Sequence, residues 1–129
     1  MDDKKIGNLG EEVACKFLKK KGYKILERNF TKDFSAVSKG EIDIIAKKDK
    51  VVCFIEVKTS SSAKSGTGGF FPEDRVNFQK QQKLKRLGQI WLAKNKISFE
   101  SPWQIDVIAV IIDFATKKAK IRHFPNAVS

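Results

Sequence analysis

The sequence predicts an α/β domain built on a mixed sheet, with elements in the order helix, three strands, helix, two strands. Three observations carry that prediction. Apolar residues recur at helical spacing near both 5–21 and 77–94, β-branched and aromatic runs fill the stretches between and after them, and polar or turn-rich segments separate the runs. At 129 residues, 41% of them apolar, the chain has the size and core material of one domain spanning 1–129.

The first helix is predicted over Lys5–Lys21, where Ile6, Leu9, Val13, Ala14, Phe17 and Leu18 line one face and Gly22 is placed to end it. Gly7 and Gly10 fall in the same apolar arc, which predicts close approach of the helix to its neighbour. On this wheel Glu11 sits at the margin of the buried face and can reach the sheet, whereas Glu12 points to solvent. "YKILERNF" (Tyr23–Phe30) alternates as a strand, and "TKDFSAVSKG" (Thr31–Gly40) reads as a polar turn. "EIDIIA" (Glu41–Ala46) and "VVCFIEVKT" (Val51–Thr59) flank "KKDK" and predict an antiparallel hairpin closed by a four-residue loop. "SSSAKSGTGG" (Ser60–Gly69) has nothing with which to build a core and reads as a mobile loop. The second helix follows over Asn77–Lys94 with Val76, Leu84, Leu87 and Trp91 inward, and "QIDVIAVIID" and "AKIRHF" close the chain as strands.

The charge narrows the function classes. Lys and Arg total 26 against 15 Asp and Glu, a net +11, and such a field favours polyanions, nucleic acid first and an anionic membrane surface second. Ordinary solubility charge is the plain alternative. No apolar run is long enough to cross a bilayer, and "MDDKKIGNLGEE" lacks the apolar centre of a secretory signal, so a cytoplasmic protein is expected. Cys15 and Cys53 have no zinc-ligand spacing and read as small buried hydrophobes.

Charged residues in the third apolar run need a reason. Residues two apart share a strand face, so Glu56 and Lys58 lie with Phe54 and Val52. A four-residue loop sets Ala46 opposite Val51, Asp43 opposite Phe54 and Glu41 opposite Glu56, which puts Asp43, Glu56 and Lys58 on one face. Two carboxylates so close repel unless one is protonated, a lysine intervenes or a hard divalent cation such as Mg²⁺ or Mn²⁺ binds. On the second helix Lys80 lies within the apolar stripe, either snorkelling out of the first turn or facing inward toward phosphate. From Arg75 to Lys96 the chain carries Lys80, Lys83, Lys85, Arg86 and Lys94 and no acidic residue, a one-signed surface suited to a phosphate backbone. His123, Trp91 and Trp103 read as packing residues, and Asp106 as either a carboxylate behind the site or a charge at a strand edge.

Asp43 on one strand followed by Glu56-Val57-Lys58 on the next resembles the core of the PD-(D/E)XK nuclease superfamily, with Ile42 where the superfamily name has proline. "GNLGEEVACKFLKKKGYKILERNF", "GEIDIIA", "VVCFIEVKT", "VNFQKQQKL" and "IDVIAV" resemble the successive blocks of the YraN-like family of small bacterial proteins, over nearly the whole chain. The resemblance implies a restriction-endonuclease-like fold related to Holliday-junction resolvases. It implies catalytic Glu11, Asp43, Glu56 and Lys58. It also implies Mg²⁺ or Mn²⁺ held by Asp43, Glu56, the Val57 carbonyl and Glu11, and cleavage leaving a 5′-phosphate and a 3′-hydroxyl. The expected partner is DNA, branched or junction DNA included, with no membrane; cutting a junction needs two active sites and so a homodimer. Lys80, Lys83, Lys85 and Arg86 are the expected nucleic-acid contacts. The rival reading is a catalytically silent nucleic-acid-binding module whose acidic cluster is structural, and a module for an acidic protein or lipid surface ranks below both.

Overall fold

The computed structural model describes residues 3–35, 39–61 and 77–127. The elements are α1 (Asp3–Lys20), β1 (Lys24–Asp33), β2 (Lys39–Lys48), β3 (Val51–Ser61), α2 (Phe78–Lys94), β4 (Trp103–Asp113) and β5 (Lys118–Phe124), the predicted order. The five strands form one sheet in the order β1-β2-β3-β4-β5. All neighbours are antiparallel except β3 and β4, whose parallel pairing requires the crossover that contains α2. Among the described residues no helix is long and apolar enough to cross a membrane.

Each helix covers one face of the sheet. Leu84, Leu87, Trp91 and Leu92 of α2 pack on Val52, Phe54, Ile105 and Val107, while Ala14, Cys15 and Leu18 of α1 pack on Cys53, Ile55, Ile108 and Val110. β3 and β4 are therefore buried on both faces, which is why their sequences are continuous apolar runs instead of alternating ones. Trp91 lies in the core with its indole Nε1 donating to Glu27 Oε1 at 2.9 Å, and Trp103 packs at its edge, as the sequence suggested. Cys15 and Cys53 are buried and free, and burial pushes the Cys53 thiol up to about 12, consistent with inert packing.

α1 ends as expected. Gly22 takes a left-handed φ of 94°, its N–H donates to Lys19 O at 3.1 Å, and the Tyr23 N–H donates to Leu18 O at 2.9 Å, the paired bonds of a Schellman terminus. Gly10 is where α1 meets the sheet: a Cβ there would stand 1.9 Å from Thr59 Oγ1 on β3. Gly7 does not share that role, because a Cβ on it would meet nothing within 4 Å. It borders a cleft instead of a contact.

Two expectations about the strands are corrected. β1 and β2 run further into the polar stretch than the sequence suggested, to Asp33 and from Lys39, because pairing across the hairpin satisfies backbone groups even where side chains are solvated. The β2–β3 turn is two residues, Asp49 and Lys50, with Lys48 paired to Val51 and Asp49 at a left-handed φ of 56°. Register therefore moves by two residues from the four-residue-loop count, which keeps the paired residues Ile44–Lys48 on their predicted faces and brings Asp43 to the step beside Glu56, just past the last pair, Ile44 and Ile55. Val76 and most of the Ser60–Gly69 loop lie outside the described residues.

Candidate metal and phosphate site

The site forms where regular strand geometry fails. Ile42 belongs to the cluster under α2 and Ile44 to the cluster under α1, although residues two apart on a strand normally share a face. The backbone turns over at Asp43. Across from it, between the pairs Arg28↔Ile44 and Phe30↔Ile42, Asn29 has a left-handed φ of 54°. Pairing of β2 with β3 stops at Ile44↔Ile55, and beyond it the Val57 N–H donates to Asp43 Oδ2 at 2.8 Å in place of a ladder bond.

Three carboxylates meet at this irregularity. Glu11 of α1, Glu41 and Asp43 can each turn an oxygen to within 4.8 Å of the others. An octahedral ion with oxygens at about 2.1 Å holds neighbouring ligands about 2.9 Å apart and opposite ones about 4.2 Å apart, so a small contraction of these side chains fits the set to such an ion. The donors are all oxygen, the chemistry of a hard cation. Asn29 Nδ2 donates to Glu11 Oε1 at 2.6 Å and to Glu41 Oε1 at 3.0 Å. Burial, and after it the charge of Glu56, pushes the Asp43 carboxyl up to about 8, against the pull of the Val57 N–H. Burial also raises Glu11, partly offset by the Asn29 amide.

Glu56 stands next to Asp43 and is buried, 6% exposed, with its Oε1 accepting from Lys80 Nζ. Lys80 thus faces inward, and what it engages is a carboxylate. Its placement follows from the start of α2, where Asn77 caps the helix by accepting from the Lys80 N–H at 2.9 Å. Asp43 and Glu56 line two clefts at once. One, of about 380 Å³, is bordered by Lys39, Lys80 and Lys83 on the α2 side. The other, of about 300 Å³, is bordered by Gly7, Glu11, Thr59 and Ser60 on the α1 side. Ser60 Oγ is buried there with no hydrogen-bond partner among the described residues.

The remaining sequence candidates divide. Lys58 lies half-buried two residues beyond Glu56, opposite Ala109 of β4, and the walls of both clefts are built from other described residues. Lys83 joins Lys80 on a cleft wall, and Arg86, one turn on, places its guanidinium 4.6 Å from the Phe34 ring centroid. Lys85 is half-buried and lies about 200° round the helix from Lys83, on the other flank. Glu12 is exposed, as the helical wheel suggested, and at the surface Arg28 of β1 bonds it at 2.9 Å and holds its carboxyl below the usual range. Asp106 is fully buried on β4 opposite Ile55, where Oδ1 accepts from Gln104 Nε2 and the Asn126 N–H and Oδ2 meets His123 Nε2, each at 2.8 Å. That network ties β5 and the residues after it to β4, and His123 packs edge-on against Phe17 and Tyr23.

The description "Uncharacterised protein family UPF0102" matches residues 10–110, the stretch that supplies Glu11, Asn29, Glu41, Asp43, Glu56 and Lys80. The chain belongs to the UPF0102 family. It is 40% identical to a UPF0102 protein of Alkaliphilus oremlandii over 125 residues, 97% of this chain and 98% of that one. It is 38% identical to a UPF0102 protein of Caldicellulosiruptor bescii over 127 residues, 98% of this chain and 99% of that one. In this UPF0102 chain the site includes two residues that sequence reasoning did not single out. Glu41 lies two residues before Asp43 in "EID", but the turn of the backbone at Asp43, and not strand parity, brings it to Asn29 on the α1 side. Asn29 carried no signal, since its role follows from a backbone conformation and not from a pattern.

Proposed function

We propose that this UPF0102 protein is a divalent-metal-dependent nuclease hydrolysing phosphodiester bonds in DNA, with structured substrates such as branched or junction DNA included. The observation that carries the reading is the convergence of Glu11, Glu41 and Asp43 within 4.8 Å beside buried Glu56, under a cleft edged by Lys80 and Lys83. Carboxylates alone would repel a phosphodiester, and lysines alone would only bind one; the two together suit phosphoryl transfer. Resemblance to the PD-(D/E)XK superfamily supports the same assignment and adds Lys58 as a catalytic residue and the Val57 carbonyl as a ligand.

In this mechanism Glu11, Asp43 and Glu56, with Glu41, would hold Mg²⁺ or Mn²⁺. Such an ion supplies Lewis-acid polarisation of a phosphoryl oxygen and a more acidic water. Lys58 stabilises the negative charge that grows on the phosphorane-like transition state. Lys80, Lys83 and Arg86 hold the phosphate backbone against the α2 side of the cleft. Lys80, which pairs with Glu56 in the structure, would be the residue free to bind phosphate once Glu56 serves as a ligand.

The Lys80–Glu56 ion pair also favours a second reading, a nucleic-acid-binding module in which the lysine neutralises a structural carboxylate. Incubation of the purified chain with labelled linear, flapped and four-way DNAs, with and without Mg²⁺ or Mn²⁺, separates the two. Metal-dependent cleavage of any of them is expected; binding without cleavage throughout would leave the module.

A further inference from the structure

Two consecutive residues of β1 reach two consecutive residues of α1: Arg28 bonds Glu12 at 2.9 Å and Asn29 bonds Glu11 at 2.6 Å. A regular strand cannot do this, because neighbouring side chains point to opposite faces. The left-handed backbone of Asn29, φ 54°, brings its side chain round to the α1 side. There the amide nitrogen meets a second carboxylate, Glu41, at 3.0 Å. The amide NH₂ carries two hydrogens and so can serve both acceptors.

We propose that Asn29 is a positioning residue of the carboxylate site, bridging Glu11 and Glu41 so that they stand ready beside Asp43. The proposal rests on reading these carboxylates as metal-binding. Its chemical logic is that two like charges from different elements must be held together without being neutralised. A lysine or arginine in the same place would bring them together but cancel the charge a cation needs. Glycine, asparagine and aspartate take a left-handed conformation most readily. Glycine offers no donor and aspartate adds another negative charge, so of the three asparagine alone meets both demands. Partners that orient metal ligands in this way typically account for about 10- to 100-fold in metal affinity.

The test measures Mn²⁺ binding to the full chain by titration calorimetry, together with melting with and without Mn²⁺. Asn29→Gly keeps the backbone and removes the amide, and its Mn²⁺ dissociation constant should rise about 10- to 100-fold. Asn29→Asp keeps size and conformation but replaces the donor with a charge. It should melt below wild type without metal and show a larger Mn²⁺-induced rise. Glu12→Gln, which breaks only the adjoining Arg28 pair, should bind as wild type does. Should Asn29→Gly fail to fold, the Asn29→Asp melts decide. Wild type that binds while Asn29→Gly stays within about twofold, or Asn29→Asp that shows the wild-type rise, overturns the role of Asn29 and leaves the metal reading in place. Wild type that binds no divalent ion overturns both.

Discussion

Removing the charge of Asp43 gives the most direct test of how the site is built. Its carboxyl has an ordinary value of 3.8 and is pushed up to about 8 in the fold by burial and by Glu56. A raised folded value means that, between the two, the folded protein holds a proton the unfolded chain has released. Without metal, stability must therefore fall as pH climbs from about 4 to about 8 and then level off. At roughly 1.4 kcal/mol per unit the ceiling is on the order of 5 kcal/mol. Lys80, paired with Glu56, relieves part of the repulsion, so an effect of about 2–3 kcal/mol is expected. For a domain of this length that is a melting shift of roughly 10 °C. Asp43→Asn keeps an oxygen to accept from the Val57 N–H and removes the charge, so its stability should be nearly flat over the window and exceed wild type near pH 8. Thermal melts in chelator from pH 5 to 9 read the difference directly. Parallel pH curves for wild type and Asp43→Asn would refute the reasoning, since the repulsion would then reside elsewhere.

Mg²⁺ or Mn²⁺ at about 100 times its dissociation constant should stabilise wild type by roughly 2.7 kcal/mol and Asp43→Asn far less, read as paired melting shifts; equal shifts would remove Asp43 as a ligand. Lys58→Ala should abolish metal-dependent cleavage while leaving DNA affinity largely intact, because its charge acts at the transition state; a cleaving variant would remove Lys58 from the catalytic set. Lys83→Gln with Arg86→Gln should lower the slope of log affinity against log salt by about 2 on duplex DNA, whereas Lys85→Gln, on the other flank of α2, should leave it unchanged. Gly10→Ala forces a methyl into Thr59 and should cost about 1–3 kcal/mol in a denaturant melt, with Gly7→Ala, over open space, costing nothing comparable.

Much of the site was legible in the sequence because strand and helix periodicities are local. The wheel that placed Glu11 against the sheet needs only the angle per residue, and Glu56 stands out because a charge at the end of "VVCFI" contradicts its surroundings. Even a wrong turn length did little harm. An error of two residues in register preserves every facing, so Asp43 and Glu56 were brought together for a reason that survived the correction. Lys80 was legible only as an anomaly in an apolar stripe. That its partner is Glu56 required knowing how far β3 stands from the first turn of α2.

By itself the sequence determined the element order, the two buried strands, the basic α2 and the acidic positions that set the charge of the site. These follow from side-chain hydrophobicity and periodicity, which act over a few residues. Tertiary structure alone decided that Asn29 and Glu41 join the site, that Arg28 takes Glu12, and that Asp106 and His123 tie the last strand down. The reason is physical. A left-handed residue facing the point where β2 and β3 part is a compromise between strand twist, helix packing and a hydrogen bond to another element. No local pattern records a compromise among three elements, and it is there that the carboxylates converge.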